Sequence, residues 1–205
     1  MIMSWFIWGW VCAAAGTIAS VPQAVRLLRS RTSAGLSLTM WQFNVACSVA
    51  WVLHGLRGDW WNITVPNAIM GATAALIVQL IVADRGLSLA RVWPLIVAVF
   101  AALAAIEIFG NPVGFGIAIV LPLAFGMLTQ SRDLVREPDI AGLSASTIVG
   151  VCALQFMWLA WGVGMGDLSI VICATTLGAV STFNLVWFAL RTRGVIGARV
   201  ASAAA

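Results

Sequence analysis

The stretch that decides the fold is "SVPQAVRLLRSRTSAGLSLTMW", residues 20–41. It interrupts an apolar run with Pro22, adds Arg26, Arg29 and Arg31 within six positions, and then becomes apolar again. An apolar run that ends in clustered arginines is typical of a membrane helix reaching the cytoplasmic surface. The segment therefore predicts the end of one membrane helix, a short cytoplasmic loop and the start of the next helix.

The composition around this stretch is that of a membrane protein. The chain has 205 residues, of which 62% are hydrophobic and 9% are charged, against roughly 25% charged residues in soluble domains. One membrane helix needs about 20 residues, so the length allows about seven spans with short connections. The first residues contain no basic segment and no small-residue cleavage site. We therefore expect the first apolar stretch to be retained as a helix rather than removed as a signal peptide.

Apolar runs bounded by charge, Gly and Pro predict an all-α membrane protein with seven transmembrane helices. The predicted spans are about 4–25, 38–56, 62–83, 92–109, 113–131, 144–164 and 168–190. With these spans, ten of the eleven arginines fall on one side, which the positive-inside rule makes cytoplasmic. The N-terminus is then outside and the C-terminus inside. Abundant Ala, Val and Arg without Lys are typical of a GC-rich bacterial genome, so we expect a multi-pass protein of the bacterial inner (plasma) membrane.

Several classes of partner and chemistry are excluded on the same grounds. The arginines lie beside apolar spans rather than in one basic patch, so we expect a lipid bilayer as partner and no nucleic acid. The cysteines lie inside apolar runs without metal-ligand spacing, which predicts core residues, no metal and no cofactor. The sequence contains no nucleophile–base set, so we do not expect an enzyme.

The chain also contains an internal repeat at an offset of 107 positions. A three-helix unit ends on the side of the membrane opposite to its start, so a second copy joined directly to it would be inverted. Both Gly-Leu-Ser loops are predicted to lie inside, so one extra crossing is needed, and the fourth helix is predicted to be this inversion linker. We expect a first repeat over 1–90, a linker helix over 91–111, a second repeat over 112–192 and a cytoplasmic tail over 193–205. The coinciding residues are Gln23 and Gln130, Trp51 and Trp158, Gly55 and Gly162, and Gly-Leu-Ser at 35–37 and 142–144.

The first copy carries Pro22-Gln23, Gly35-Leu36-Ser37, Trp51-x-x-His54-Gly55 and Asn67. With this set it resembles the PQ-loop superfamily, and within it the SWEET sugar transporters and their half-size bacterial relatives, the SemiSWEETs. The resemblance implies two parallel three-helix halves that carry small mono- or disaccharides by alternating access. The protein is a possible homo-oligomer.

A substrate site is predicted between the two second helices of the repeats. Asn44, Ser48 and Trp51 share one helical face by their spacing. The offset of 107 positions gives Gln155 as the counterpart of Ser48 and Trp158 as the counterpart of Trp51. Indole rings can cover apolar sugar faces, while amides replace the water bonds of hydroxyls. The resemblance adds Asn67, whose counterpart is Ala174 or, with one insertion, Thr175. The alternative is that these residues only hydrogen-bond helices together.

A hinge and an outer gate complete the predicted machinery. Pro22 has no N–H, so it weakens the first helix, and Gln23 would satisfy the freed carbonyl or line the cytoplasmic mouth; the alternative is a static kink. The outer gate is predicted from His54, Arg57, Asp59 and Asp167, joined by charge-assisted hydrogen bonds. A solvated surface loop is the alternative, and a histidine there would make closure pH-sensitive.

A sugar uniporter is therefore the leading hypothesis, because proton coupling usually needs a carboxylate within the spans. All the acidic residues fall at predicted span ends, with Glu107 nearest to an exception. One alternative is a cystinosin-like, proton-coupled amino-acid transporter. Another is a non-transporting receptor related to the PQ-loop proteins, which would need a charged pocket.

Overall fold

The computed structural model describes the backbone of residues 2–30, 33, 36–137, 140 and 145–197. Side chains are described over the same ranges except for residues 2 and 19–30. Seven α-helices occupy these ranges: α1 (Ile2–Ser30), α2 (Leu38–Arg57), α3 (Trp61–Asp84), α4 (Leu89–Phe109), α5 (Pro112–Arg136), α6 (Ala145–Met165) and α7 (Leu168–Thr192).

The helices begin and end close to the predicted spans, with two informative differences. α1 continues to Ser30 and α5 continues to Arg136, each beyond the end of its apolar run. In α5 the extra turn carries Arg132 and Arg136, both exposed. Arginine keeps its charged head in water while its stem lies along apolar surface. A helix can therefore continue past the hydrocarbon boundary. For this reason hydropathy alone places the end of the helix too early.

The packing order is the same in both halves. α3 packs between α1 and α2, and α7 packs between α5 and α6. α4 packs mainly against α2 and α5, so it lies across the joint between the halves. The fold class predicted from the sequence, two parallel three-helix repeats joined by a linker helix, is confirmed.

The offset of 107 positions also relates the helix boundaries. It places Leu38, the first residue of α2, on Ala145, the first residue of α6. It likewise places Trp61 on Leu168, the first residues of α3 and α7. The residue limits predicted for the repeats, the linker and the tail stay predictions.

Glycines at equivalent places let the paired helices approach closely. A Cβ atom on Gly55 would lie 2.5 Å from Thr64 Oγ1, at the crossing of α2 and α3. A Cβ atom on Gly162 would lie 2.9 Å from Ile170 Cγ2, at the crossing of α6 and α7. Both halves therefore use a glycine where the second and third helices meet.

Most of the arginines in the described ranges lie at one end of the bundle, here named the arginine-rich end, where α1, α3, α5 and α7 end. There Arg85 Nη2 donates to the backbone oxygens of Ser33 and Leu36, at 2.9 and 2.7 Å. In the second half Arg191 Nη1 donates to the backbone oxygens of Leu134 and Glu137, at 2.9 and 2.6 Å. These bonds satisfy carbonyls in the last turn of a helix or just outside a helix end. The opposite end, where α2, α4 and α6 end, is the arginine-poor end.

The bundle is built to lie in a membrane. Five helices, α3 to α7, are long and apolar enough to cross one by length and composition. α2 is more polar, but its Gln42, Ser48 and His54 are buried while Val49 and Leu56 are exposed. Polar groups thus face the interior and apolar groups face outward, as lipid requires. The chain is an integral, multi-pass membrane protein.

Candidate functional site

A cavity of about 210 Å³ lies at the centre of the bundle, between the two halves. Six helices line it, and α4 contributes no side chain to the lining set. Six of the seven side chains that the sequence places in a substrate site line this cavity: Asn44, Ser48, Trp51, Asn67, Gln155 and Trp158.

The first half supplies most of the polar groups of the cavity. Asn44 Nδ2 donates to the Met40 backbone oxygen and Asn67 Nδ2 donates to the Ile63 backbone oxygen, both at 2.9 Å. Each amide is thereby anchored on its own helix. An anchored amide still offers an oxygen that can accept hydrogen bonds from a bound molecule.

The second half presents a more apolar wall. Gln155 and Trp158 on α6 are its polar and aromatic contributions, and Leu154, Ile170 and Leu177 fill much of the rest. The asymmetry follows from the sequence, because the offset of 107 positions places Val151 on Asn44 and Ala174 on Asn67.

The structure places Thr175 outside the cavity. Its side chain is exposed, and the buried Ala174 lines the cavity in its place. The reason is that the offset of 107 positions runs through α7 without an insertion, so the counterpart of Asn67 is Ala174.

Aromatic rings close the cavity toward the arginine-poor end. Trp161, which is 1% exposed, meets Trp60 and Trp158 edge to face, with ring centroids 5.6 and 5.9 Å apart. Trp51 meets Phe115 in the same way, at 5.3 Å. Edge-to-face pairs of this kind pack favourably. These five rings, Trp51, Trp60, Phe115, Trp158 and Trp161, are here named the aromatic roof. Trp161 was not singled out from the sequence, although its spacing of three residues from Trp158 was an available signal.

A group of charged residues lies beyond this roof, here named the gate cluster: His54, Arg57, Glu107 and Asp167. His54 Nδ1 is 3.1 Å from Glu107 Oε1, and His54 Nε2 is 3.0 Å from Asp167 Oδ2. Arg57 Nε is 3.4 Å from Glu107 Oε1. The side chains of His54, Glu107 and Asp167 are 7%, 9% and 2% exposed. The cluster joins the ends of α2 and α4 to the start of α7.

The members of this cluster differ from the predicted gate in two ways. Asp59 is exposed in the turn after α2, at φ 54°, and it takes no part in the ion pairs found among the described residues. Glu107 takes that place instead. Its signal in the sequence was that it is the one acidic residue within the apolar run of α4.

The two predicted hinge residues belong to α1. Pro22 and Gln23 lie within the α1 helix, but their side chains fall outside the described residues. Their predicted role therefore stays a prediction. Among the described side chains, no group of His, Cys, Asp and Glu fits a metal ion, and the four cysteines are free and buried.

Comparisons with known proteins bear on the same residues. A family model for the PQ loop repeat matches residues 4–61, which contain most of α1 and all of α2. The fold is similar to that of a eukaryotic SWEET transporter solved at 3.7 Å, with a TM-score of 0.72 and 13% sequence identity. That match covers 92% of this chain and 99% of the other chain. A search of curated proteins finds no match.

The repeat model covers the opening motif, and the structural match extends over both halves and the linker. The resemblance inferred from the sequence is confirmed. The chain is a multi-pass membrane protein whose residues 4–61 match the PQ loop repeat and whose fold is similar to that of the SWEET transporter.

Proposed function

We propose that the protein is a transporter for small sugars that works by alternating access as a uniporter. The observation that carries the proposal is the central cavity, where Trp51 and Trp158 from the two halves meet amide groups and no charged side chain. A sugar is neutral, with CH-rich faces suited to indole rings and hydroxyls suited to amides. The SWEET fold and the PQ-loop repeat support a transporter.

The lining set also favours a neutral substrate over an amino acid. A zwitterion needs partners for a carboxylate and an ammonium group, since buried charges must be paired. The lining set contains no Arg, Asp, Glu or His. The same fact supports uniport, because a proton that crosses together with the substrate needs a carboxylate or a histidine beside the substrate site.

The route through the bundle follows from its two ends. The aromatic roof and the gate cluster close the arginine-poor end, so substrate in this conformation would leave toward the arginine-rich end. We assign the arginine-rich end to the cytoplasm, because arginines beside apolar spans favour that side. Pro22 and Gln23 lie in α1 toward this end, where a weakened helix would allow the inner side to open and close. We place the protein in a bacterial inner membrane on the compositional grounds given above.

We expect purified protein in liposomes to equilibrate radiolabelled glucose without a pH gradient and without accumulation. The cavity of about 210 Å³ is smaller than the roughly 300–1,000 Å³ of sites for drug-sized ligands, so glucose should exchange faster than sucrose. The measurement is tracer uptake with and without an imposed pH gradient. Gradient-driven uptake of an amino acid, with no uptake of either sugar, would overturn the substrate class.

We expect a single thiol at each end to report the orientation. In Leu168→Cys, at the exposed start of α7, a membrane-impermeant maleimide should label intact cells. In Glu137→Cys, exposed at the arginine-rich end, labelling should need lysed cells, and the native protein with its buried cysteines is the control. The reverse pattern would show that the arginine-rich end faces outward.

A further inference from the structure

The imidazole of His54 lies between two carboxylates. Its Nδ1 is 3.1 Å from Glu107 Oε1 and its Nε2 is 3.0 Å from Asp167 Oδ2. A neutral imidazole has one N–H and one bare nitrogen, whereas an ionised carboxylate only accepts hydrogen bonds. A neutral imidazole between two ionised carboxylates can therefore make only one of the two hydrogen bonds. Both contacts are hydrogen bonds only if one further proton is bound, on the imidazole or on a carboxylate.

The surroundings of the two carboxylates show where this proton lies. Asp167 caps α7, where its Oδ1 accepts from Ser169 N at 2.9 Å and from Ile170 N at 3.3 Å. These backbone N–H groups can only donate, so the Asp167 carboxylate acts as an acceptor. Glu107 Oε1, which faces His54, is also 3.4 Å from Arg57 Nε, which can only donate. The extra proton therefore belongs on His54.

The charges then balance within the gate cluster. An imidazolium and a guanidinium match two carboxylates, whereas a neutral His54 would leave one buried negative charge uncompensated. Buried charge without a partner is costly. The remaining neighbours of His54 add no charge, because Trp60, just before α3, and Phe115 on α5 are uncharged rings. Besides Asp167, the titratable group of α7 near this cluster is the thiol of Cys173.

We infer that the gate cluster is a proton-binding site, in which His54 as an imidazolium holds α2, α4 and α7 together in the closed state. Its ligand is a single proton. Separation of the three helices would break both contacts and expose the imidazole to water, where the proton can leave. Closure at this end is thus linked to proton binding, and a lower pH at that side favours the closed gate.

The consequence for transport rests on the proposed function. The proton binds and leaves at the arginine-poor end, and the aromatic roof separates it from the cavity. The proton therefore controls the opening of the gate and does not cross the membrane with the substrate. Such a carrier remains a uniporter whose exchange rate depends on pH.

The protonation state can be observed directly, because His54 is the one histidine of the chain. We expect ¹⁵N NMR of histidine-labelled protein in nanodiscs at neutral pH to show both ring nitrogens protonated. Glu107→Gln should convert the spectrum to a neutral imidazole, because an amide can donate to the bare nitrogen and the net charge still balances. The matched control Glu137→Gln, at the other end, should leave the spectrum unchanged. A neutral imidazole in the native protein would overturn the inference, whether or not the protein carries sugars.

Exchange of radiolabelled glucose tests the link to the gate, with equal pH on both sides of the membrane. As His54 loses its proton in the NMR titration, native exchange should rise by up to about tenfold per pH unit, the limit for one linked proton. Glu107→Gln should exchange glucose with a flat pH profile, and Glu137→Gln should follow the native protein. A native profile that stays flat while His54 deprotonates would overturn the gating role, as would an unaltered pH profile in Glu107→Gln. Absence of glucose exchange in every variant would instead count against the proposed function, and the NMR result would still decide the proton site.

Discussion

Asn67→Ala is expected to reduce glucose exchange by about 10- to 100-fold while the protein remains folded. The Asn67 amide lines the cavity and is anchored on its own helix through Ile63. A substrate hydroxyl that loses its partner in a desolvated site costs about 1–3 kcal/mol, and about 1.4 kcal/mol corresponds to a tenfold change. The measurement is tracer exchange in liposomes at matched protein content, with thermal unfolding as the check on folding.

Thr175→Ala is the matched control for that variant. With one insertion, sequence comparison makes Thr175 the counterpart of Asn67, but its side chain is exposed outside the cavity. Exchange should therefore be unchanged in Thr175→Ala. Equal losses in both variants, or no loss in Asn67→Ala, would contradict the assignment of the cavity as the substrate site.

Gly55→Ala is expected to lower the free energy of unfolding by about 1–3 kcal/mol, the usual cost of overpacking. The added methyl group would lie 2.5 Å from Thr64 Oγ1 and 2.9 Å from the Thr64 backbone nitrogen. The backbone of α3 would have to move away from α2, and with it the cavity wall that α2 and α3 share. A lower midpoint of thermal unfolding in detergent, measured by tryptophan fluorescence, checks this expectation.

Gly150→Ala provides the opposite case with the same chemical change. Gly150 is exposed on α6, and a Cβ atom there would meet nothing within 4 Å. Alanine favours a helix over glycine by about 1 kcal/mol, so this variant should unfold at the same or a higher temperature. If Gly55→Ala and Gly150→Ala changed the unfolding temperature alike, the close approach of α2 and α3 at Gly55 would not be the cause of the loss.

Much of the fold could be predicted because each helix leaves its own signal. An apolar run bounded by Arg, Gly or Pro marks a span locally, and the repeat offset then relates distant helices such as α2 and α6. The spacing of Asn44, Ser48 and Trp51 fixed one face of α2 in the same local way. These inferences needed no knowledge of which helices touch.

The gate cluster could not be predicted in full because it depends on contacts between helices. Glu107 lies 53 residues from His54 in the chain and 113 positions separate His54 from Asp167. A charge at the end of a span can face water, lipid headgroups or a neighbouring helix, and its sequence position is the same in each case. Asp59 shows the converse, since proximity in sequence to His54 did not bring it into the cluster.

The position of α4 has a consequence for how such proteins are assembled from parts. If α4 only reversed the direction of the chain, any apolar helix of the right length would serve as a spacer. Through Glu107, however, α4 holds the end of α2 on one side and, through His54, is joined to the start of α7 on the other. The linker helix between the two repeats therefore takes part in the proposed gate, and a foreign helix in its place would remove Glu107 from the gate cluster.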